Sequence, residues 1–292
     1  MSSSLRETWV AAQDQLINSL GLEKGEARQE AQLLLQAAAN KNRAWLLAHE
    51  NEALNCSMAQ IFQPLLLRRL QGEPIAYILG CREFYGLNLM VSRDTLIPRP
   101  DTETLVEAAL AKISPQSHVT ILDLGTGSGA IALALATQRP LAQVIASDAS
   151  SAALKIAEIN AQSLAISNVV FVLSDWYAQL PQQQFDLIVS NPPYVEINDV
   201  HLKQGDLRFE PLNALASGID GLDDIRRIIE HSLIYLKPQG WLLLEHGFHQ
   251  ARLVADLMAE AGLTEIVTLQ DLGGNNRVTL AKNPLIVSTH WG

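Results

Sequence analysis

Short apolar segments alternate with helical stretches in the region after Pro115, and this alternation limits the folds open to the chain more than any other feature. The predicted strands are residues 119–124, 143–147, 169–173, 185–189 and 241–244. Because a helical stretch separates each strand from the next, the pattern predicts a mostly parallel sheet with helices on both faces. Residues 265–269 and 277–281 leave no room for a helix between them, so they are predicted to close the sheet edge as an antiparallel pair. An α/β fold with a seven-stranded sheet is therefore expected.

The N-terminal part of the chain has a different pattern. From residue 5 to about residue 72, apolar residues recur at helical spacing between Glu, Gln, Lys and Arg. Pro64 either kinks the last helix of this region or begins it, and the sequence leaves both possibilities open. Residues 84–91 alternate and carry a glycine, which predicts a short β-hairpin. The predicted domains are a helical domain that docks the substrate (residues 1–82), a β-hairpin and connector (residues 83–115) and a sheet domain (residues 116–292).

The composition is that of a folded protein. Hydrophobic residues make up 48% of the chain and charged residues 18%, which supports a real core. No apolar run approaches the length of a membrane span, and the first residues lack the apolar centre of a signal peptide. Cys56 and Cys81 form no CxxC pair, so we expect free thiols. A cytoplasmic protein without redox chemistry is the expectation.

Several classes of function lack their residues. The net charge of −10 argues against a protein that grips a long phosphate backbone, so direct nucleic-acid binding is not expected. Without an apolar run of spanning length, membrane binding is not expected either. The chain has no Gly-x-Ser-x-Gly elbow and no Walker lysine after its glycines, which argues against acyl-serine chemistry and nucleotide hydrolysis. His246 and His249 stand three residues apart beside Glu245, but a metal site would need further ligands, and we expect none.

Asn191, Pro192, Pro193 and Tyr194 follow the predicted strand at residues 185–189 and form the most informative stretch of the chain. Neither proline has an N–H for a sheet, so the strand ends there, and each proline keeps the preceding residue extended. The Asn191 side-chain oxygen and the Pro192 carbonyl can accept the two hydrogens of a planar NH2 group while Tyr194 stacks on its plane. The same residues are also consistent with a proline-stiffened loop shielded by a tyrosine.

A glycine-rich turn at residues 125–129 follows the strand at residues 119–124. Its glycines let the backbone approach a ligand, and the helix after it offers free N–H groups. Acidic residues end the next two strands: Asp148 can take both hydroxyls of a ribose, and Asp175 with Trp176 can hold an adenine. Because ligands of open parallel sheets sit beyond the carboxyl ends of the strands, these features together predict a nucleoside-containing cofactor. Taken singly, Asp148 could instead cap the next helix, and Trp176 could lie in the core.

These motifs, in this order, resemble those of the class I S-adenosylmethionine-dependent methyltransferases that act on planar NH2 groups. More closely, the chain is similar to the release factor glutamine methyltransferase family, and the similarity spans nearly its whole length. The stretches that carry it are residues 72–80, 84–86, 97–103, 123–129, 191–194, 218–223 and 276–278. The chain departs from the family pattern at His246, where many relatives have isoleucine, and at Asn276, where aspartate is frequent.

The resemblance implies N5-methylation of the glutamine in the Gly-Gly-Gln motif of class I peptide chain release factors. It implies S-adenosyl-L-methionine as cofactor, S-adenosyl-L-homocysteine as product, and a Rossmann-like methyltransferase sheet behind an N-terminal helical bundle; a monomer is expected. The implied catalytic residues are Asn191, Pro192 and Tyr194. The implied cofactor-binding residues are Gly125, Thr126, Gly127, Ser128, Gly129, Asp148, Asp175, Trp176 and Asn191. The implied substrate-binding residues are Asn191, Pro192, Pro193, Tyr194, Phe84 and Arg99.

Two other functions stay open at the level of sequence. An N6-adenine nucleic-acid methyltransferase would use the same tetrapeptide on a flipped base, although the acidity of the chain counts against it. A non-catalytic module that binds release factors is the second alternative. The intact Asn-Pro-Pro-Tyr favours an enzyme, because a pure binding protein has no need of two carbonyl acceptors beside a sulfonium.

Overall fold

The computed structural model describes residues 3–285, and the chain forms two compact units. The first unit comprises the residues up to Gly80 together with Gln204–Phe209, and the second comprises Cys81–Lys203 and the chain from Glu210 onward. The boundary at Gly80 lies two residues before the predicted one. Two features differ from the sequence-based division: the hairpin and connector belong to the sheet unit, and Gln204–Phe209 belongs to the helical unit.

The first unit is built from helices, as predicted. Its helices are α1 (Leu5–Leu20), α2 (Lys24–Ala39), α3 (Arg43–Ala48), α4 (Cys56–Leu70) and α5 (Ile75–Leu79). A capping box begins α1, because the Ser4 hydroxyl accepts from the Glu7 N–H and the Glu7 carboxylate accepts from the Ser4 N–H. Pro64 lies inside α4 and does not begin it. The buried side chains of its core include Trp9, Leu16, Leu34, Leu35, Leu46 and Phe62.

Arg69 joins three parts of the helical unit through a buried ion pair. Its Nε lies 2.7 Å from Glu30 Oε2 in α2, and its Nη1 lies 3.1 Å from Asp206 Oδ1. The side chains of Arg69 and Glu30 are only 4% and 8% exposed. Arg69 Nη1 also donates to the Glu73 carbonyl at 3.1 Å. Asp206 thereby attaches Gln204–Phe209 to the helices rather than to the sheet unit that surrounds this segment in sequence.

The second unit begins with the predicted β-hairpin. Strands β1 (Cys81–Phe84) and β2 (Leu87–Met90) pair in antiparallel register. The two connecting residues, Tyr85 and Gly86, have φ angles of 50° and 77°. A type I′ turn needs positive φ at both positions, and its twist matches that of the strands it joins. Phe84 packs into the hydrophobic core.

Within the described residues, seven strands form one sheet, which confirms the predicted α/β fold. They are β3 (Thr120–Leu124), β4 (Gln143–Asp148), β5 (Val169–Leu173), β6 (Phe185–Ser190), β7 (Leu236–Glu245), β8 (Thr264–Gln270) and β9 (Asn276–Lys282). Their order is β5-β4-β3-β6-β7-β9-β8; neighbours are parallel from β5 to β7, and β9 is antiparallel to both β7 and β8. The strand order reverses at β3, between β4 and β6. In open sheets such a reversal forms a ligand crevice at the carboxyl ends of the strands.

Helices cover both faces of this sheet. They are α6 (Glu103–Ala111), α7 (Ala130–Gln138), α8 (Ser151–Ser163), α9 (Asp223–Tyr235) and α10 (Ala251–Glu260). Successive strand residues point to opposite faces, so Ile121 and Leu187 enter one core while Leu122 and Ile188 enter the other. Among the helices of residues 3–285, none has the length and apolar character needed to cross a bilayer.

Candidate active site

A cavity of about 320 Å³ lies at the carboxyl ends of β3, β4, β5 and β6, where the strand order predicts a ligand. Its volume is in the range of small-molecule sites. The predicted site residues that line it are Gly125, Gly127, Asp148, Asp175, Trp176, Asn191 and Pro193. The fold thus brings together residues that are up to 68 positions apart in the chain, from Gly125 to Pro193.

The glycine turn after β3 forms one wall of the cavity. The N–H groups of Gly125 and Thr126 both donate to the Ser147 carbonyl, which ties the turn to the end of β4. Gly125 has a φ of 72°, and a Cβ at this position would lie 3.4 Å from the Trp176 ring. Gly129, with a φ of 85°, is the N-cap residue before α7, and a Cβ there would lie 3.1 Å from the Ala157 side chain. Gly125 therefore keeps the space beside the indole open, whereas Gly129 allows α7 and α8 to approach.

Asp123, in β3, holds the glycine turn through hydrogen bonds. It was not among the predicted site residues. Its Oδ2 accepts from the Thr126 hydroxyl at 2.7 Å and from the Ala132 N–H at 3.2 Å. Its Oδ1 is buried without a hydrogen-bond partner in the described residues. Burial raises the pKa of Asp123 to about 7. Asp123 does not line the cavity, so its carboxyl supports the glycine turn and does not face a ligand.

Asp148 ends β4 and holds the loops on both sides of the cavity. One carboxylate oxygen accepts from the Gly127 N–H and the other from the Ser150 N–H, each at 2.8 Å. The pKa of Asp148 is raised by burial, and hydrogen bonds from backbone N–H groups offset only part of this rise. The Ser150 hydroxyl caps α8 by accepting from the Ala153 N–H, so Asp148 is not the cap of this helix. Asp148 lines the cavity, and its carboxylate can accept further hydrogen bonds.

The indole of Trp176 is fixed by a residue that the sequence did not indicate. Trp176 adopts a φ of 49°, and its Nε1 donates to Asp224 Oδ1 at 3.0 Å. Asp224 lies in the first turn of α9, and its other oxygen accepts from the Ser217 hydroxyl at 2.7 Å. Asp175 is paired with Arg227 at 2.8 Å, and its side chain is 57% exposed. Asp224 and Arg227 line the cavity, and only the tertiary fold brings α9 to this place.

Asn191 presents a defined end of its amide to the cavity. Its Nδ2 donates to the Thr102 hydroxyl oxygen at 3.2 Å. No hydrogen bond within the described residues uses Asn191 Oδ1, which leaves this oxygen as an acceptor. Pro192 is buried, and Pro193 lines the cavity beside Asn191. This is the arrangement needed to accept a hydrogen from an NH2 group.

Tyr194 is held by hydrogen bonds at its hydroxyl and at its backbone carbonyl, and it does not line the cavity. Its hydroxyl donates to Glu245 Oε1 at 3.1 Å, and burial raises its pKa. Glu245, at the end of β7, is 1% exposed and has its pKa raised by burial to about 7. Its end-of-strand position is the one sequence signal that could have found it, since Asp148 ends β4 in the same way. The proposed stacking of Tyr194 on a substrate amide stays a prediction.

A tight contact explains one of the stretches that carry the family resemblance. Gly221 has a φ of 74°, and a Cβ there would lie 2.2 Å from the Tyr194 carbonyl oxygen. The same carbonyl accepts from Gln250 Nε2 at 2.9 Å, and this amide also donates to the Asp220 carbonyl. Gln250 Oε1 accepts from the Gly247 N–H at 2.8 Å. Gln250 and Gly221 together fix the backbone that follows Pro193.

Some predicted site residues lie outside the cavity lining. They are Phe84, Arg99, Thr126, Ser128, Gly129, Pro192 and Tyr194. Phe84 is 1% exposed in the core, so it presents no surface to a substrate, which is at odds with the role implied by the resemblance. The Arg99 guanidinium pairs with the buried Glu210 carboxylate, which also accepts from the Ile97 N–H. Arg99 therefore holds the chain after Gln204–Phe209 in the described structure.

His246 has a structural environment. Its side chain is fully buried, its Nε2 lies 2.8 Å from the Thr279 hydroxyl, and its Nδ1 lies 2.9 Å from the Gly247 carbonyl. Burial lowers its pKa, which favours the neutral ring. Residues 3–285 contain no group of three or more His, Cys, Asp or Glu side chains placed to hold a metal ion.

Comparisons with known proteins agree with the fold. The family model "Methyltransferase small domain" matches residues 101–207, and the model "PrmC N-terminal domain" matches residues 12–80. Among solved structures, the hMettl16 catalytic domain covers 72% of this chain and 81% of its own at 18% identity and a TM-score of 0.57. A 16S rRNA methyltransferase from T. thermophilus, solved with AdoMet and guanosine, covers 70% and 49% at 20% identity and a TM-score of 0.51. These two likenesses concern the fold alone.

Curated relatives are much closer in sequence. The release factor glutamine methyltransferase of Xylella fastidiosa (strain 9a5c) is 49% identical over 257 residues, covering 88% of this chain and 94% of the relative. The protein of the same name from Escherichia coli (strain K12) is 49% identical over 255 residues, covering 87% and 92%. At this identity and coverage, the chain belongs to the release factor glutamine methyltransferase family.

Proposed function

We propose that this protein methylates the side-chain amide nitrogen of the glutamine in the Gly-Gly-Gln motif of class I peptide chain release factors. Membership of the family supports the reaction and the substrate class. The observation that carries the proposal is Asn191, which lines the cavity with its Nδ2 bound to Thr102 and its Oδ1 free to accept. Release factors act at ribosomes, so we place the activity in the cytoplasm.

As a member of this family the protein uses S-adenosyl-L-methionine, and the cavity fits it. The glycine turn leaves room beside the Trp176 ring, and Asp148 offers carboxylate oxygens at the end of β4. We propose that Asp148 binds the ribose hydroxyls and that Trp176 packs on the adenine. When bound, the cofactor supplies an electrophilic methyl group on a sulfonium.

The protein contributes alignment and charge stabilisation to the reaction. An amide nitrogen is a poor nucleophile, because its lone pair is delocalised into the carbonyl. Asn191 Oδ1, which lines the cavity, accepts one N–H of the substrate amide, and we propose the carbonyl of Pro192, a buried residue outside the cavity lining, as the acceptor of the other. The two acceptors would aim the amide nitrogen at the methyl group. Fixing reacting atoms in line contributes on the order of 7 kcal/mol or more to lowering a barrier. The same acceptors stabilise the positive charge that builds on nitrogen. After transfer one amide proton leaves to water, and S-adenosyl-L-homocysteine is the other product.

The helical unit contains none of these groups, and we propose that it contributes surface for the release factor. Its own exposed apolar side chains, which include Leu47, Ile61 and Leu67, support this role. Single exposed apolar residues are common on any surface. Ile61 and Leu67 both lie on α4, so we propose α4 as part of the surface that contacts the release factor. The net charge of −10 accords with a protein partner rather than a nucleic acid for this unit.

Replacing Asp148 by alanine should weaken cofactor binding. The change removes the acceptor of the Gly127 N–H and the proposed acceptor of the ribose hydroxyls. We expect a loss of roughly 2 kcal/mol, because charged hydrogen bonds in a partly buried site are of this size. Isothermal calorimetry with S-adenosyl-L-methionine measures it. Asp256→Ala, on the exposed face of α10, is the matched control and should bind as the wild type does. Equal affinity of the two variants would remove Asp148 from the site.

Mass spectrometry of a purified class I release factor tests the function directly. Incubation with the protein and S-adenosyl-L-methionine should add one methyl group, located on the Gly-Gly-Gln glutamine by fragmentation. A release factor with that glutamine replaced by alanine should gain none. An adenine-containing oligonucleotide in a parallel reaction covers the N6-adenine alternative. Methylation of the oligonucleotide but not of the release factor would overturn the proposed function in favour of that alternative.

A further inference from the structure

Trp176 adopts a backbone conformation that its neighbours must hold in place. Its φ of 49° lies in the left-handed region, which is unfavourable for a bulky side chain because the Cβ approaches a carbonyl oxygen. The Ser174 hydroxyl donates to the Trp176 carbonyl at 2.7 Å, and this serine is 2% exposed. Residues held in such conformations cluster at ligand sites, where the surrounding structure keeps the side chain in one direction. The direction of the indole is thus a built feature of the site.

The indole ring is fixed at two separate edges. At its six-membered ring, a Cβ built on Gly125 would lie 3.4 Å from Cζ3 and 3.6 Å from Cη2, so this edge lies directly beside the glycine turn. At its five-membered ring, Nε1 donates to Asp224 Oδ1 at 3.0 Å. Trp176 is half-buried; it packs in part against the apolar core on one face of the sheet, and it lines the cavity. The two fixed edges set the plane of the surface that the ring presents to the cavity.

Asp224 is itself oriented by Ser217. The Ser217 hydroxyl donates to Asp224 Oδ2 at 2.7 Å and accepts from the Asp224 N–H at 2.8 Å. Ser217 is 3% exposed and the Asp224 side chain 22%, so water competes only in part for these bonds. Arg227 Nη1 lies 3.7 Å from Asp224 Oδ1, farther than the indole N–H donor. With Oδ2 taken by the serine, Oδ1 is the oxygen that holds the indole.

We propose that Asp224 is a positioning residue for the cofactor, which holds the Trp176 indole in the plane that packs on the adenine of S-adenosyl-L-methionine. The inference rests on the cofactor part of the proposed function, because it assigns what fixes the ring on which the adenine is placed there. Asp224 also lines the cavity, so a direct contact with the cofactor is the competing explanation. The two explanations differ in whether the effect of Asp224 depends on the indole N–H.

Calorimetry with S-adenosyl-L-methionine measures the role of Asp224. Asp224→Ala leaves the indole N–H without its acceptor, so the Kd should rise by roughly 10-fold, the size expected for one hydrogen bond to a charged group. Asp224→Asn keeps an Oδ1 acceptor, and its Kd should stay within about 3-fold of the wild type.

Asp223→Ala is the matched control for Asp224→Ala. It removes the neighbouring aspartate of the same turn of α9, which pairs with Arg226 at 3.1 Å and has a side chain 62% exposed. Because this aspartate lies outside the cavity lining and solvent screens its pair, its loss should change the Kd by less than about 2-fold.

A double-mutant cycle separates positioning from direct contact. Trp176→Phe keeps an aromatic face but has no N–H, so it should weaken cofactor binding by itself. In this background Asp224→Ala should change the Kd by less than about 2-fold, because the bond through which Asp224 acts is already absent. A carboxylate that touched the cofactor would keep its full effect in the Trp176→Phe protein.

Two further measurements act on the same contact. S-adenosyl-L-homocysteine has the adenine but not the sulfonium charge, so Asp224→Ala should weaken binding of both ligands by the same factor; a carboxylate that attracted the sulfonium would matter for S-adenosyl-L-methionine alone. Ser217→Ala removes the hydroxyl that orients Asp224 without changing a residue of the cavity lining, and it should raise the Kd by about 3-fold. This variant keeps the test in place should Asp224→Ala fail to fold.

The inference is contradicted by unchanged affinity in Asp224→Ala or, where that variant does not fold, in Ser217→Ala. Equal losses from Asp224→Ala in the wild-type and Trp176→Phe backgrounds, or equal losses in the alanine and asparagine variants, also contradict it. A wild-type protein that binds the cofactor but leaves a release factor unmethylated would contradict the proposed function and leave this inference standing. A loss in Asp224→Ala that asparagine restores, and that disappears in the Trp176→Phe background, supports the positioning role.

Discussion

Asn191→Ala should lower kcat on a release factor by about 10²- to 10³-fold, the loss seen when one preorganised polar contact to a reacting group is removed. The change takes away the oxygen that is free to accept from the substrate amide, and it leaves a substrate N–H unpaired in the site. The turns that form the cofactor side of the cavity do not depend on this side chain. Cofactor affinity should therefore stay within a few-fold of the wild type. Stopped assays with release factor, and calorimetry with S-adenosyl-L-methionine, measure the two quantities separately.

Two further variants show whether the loss belongs to the acceptor. Asn191→Asp keeps an acceptor and adds charge near the sulfonium, so it should retain more activity than alanine does. Asn213→Ala removes another asparagine from the cavity lining and should change kcat by only a few-fold. Equal turnover by Asn191→Ala and the wild type would reduce Asn191 to a part of a stiff loop and would contradict the mechanism.

Arg69→Ala should destabilise the helical unit by about 3–5 kcal/mol, because it leaves the Glu30 carboxylate buried without its partner. Hydrogen exchange of α2 and α4 amides measures this loss for one unit alone and does not require the whole chain to unfold in a single step. The segment Gln204–Phe209 should exchange faster as well, since Asp206 loses its link to α4.

Arg6→Ala is the matched control for Arg69→Ala within the same unit. Arg6 pairs with Glu50 at 3.4 Å, and the two side chains are 60% and 28% exposed. Solvent screens such a pair, so its loss should cost less than about 1 kcal/mol. Similar exchange rates in the two variants would show that burial adds nothing to the Arg69 ion pair.

The sheet could be predicted from the sequence because its strands are short apolar runs whose pattern is local. Residues 119–124 and 185–189 were placed within one residue of β3 and β6, which both define the cavity. The glycine turn and Asp148 could be predicted for the same reason, because each stands immediately at a strand end. Because parallel strands end at the same edge of the sheet, their direction alone brings the glycine turn and Asp148 together.

The parts that the sequence did not predict depend on contacts between distant residues. Asp224 reaches Trp176 across 48 positions, and Tyr194 reaches Glu245 across 51. Neither carboxylate carries a local motif that points to its partner. For Phe84 the sequence indicated a substrate-binding role because the residue lies in a stretch that resembles the family. Its side chain is instead buried in the core. A matching motif identifies a position and leaves the role of its side chain open.

The path of the chain through Gln204–Phe209 means that the helical unit is not one continuous segment of sequence. Because this segment belongs to the helical unit, the backbone passes between the two units at three junctions, after Gly80, after Lys203 and after Phe209. A cut at residue 80 would remove α2 and α4 yet leave Asp206 behind without Arg69. Grafting the helices onto another methyltransferase would therefore require transplanting an internal loop together with the N-terminal segment. A single gene fusion at one end of the catalytic unit cannot transfer the whole of this helical unit.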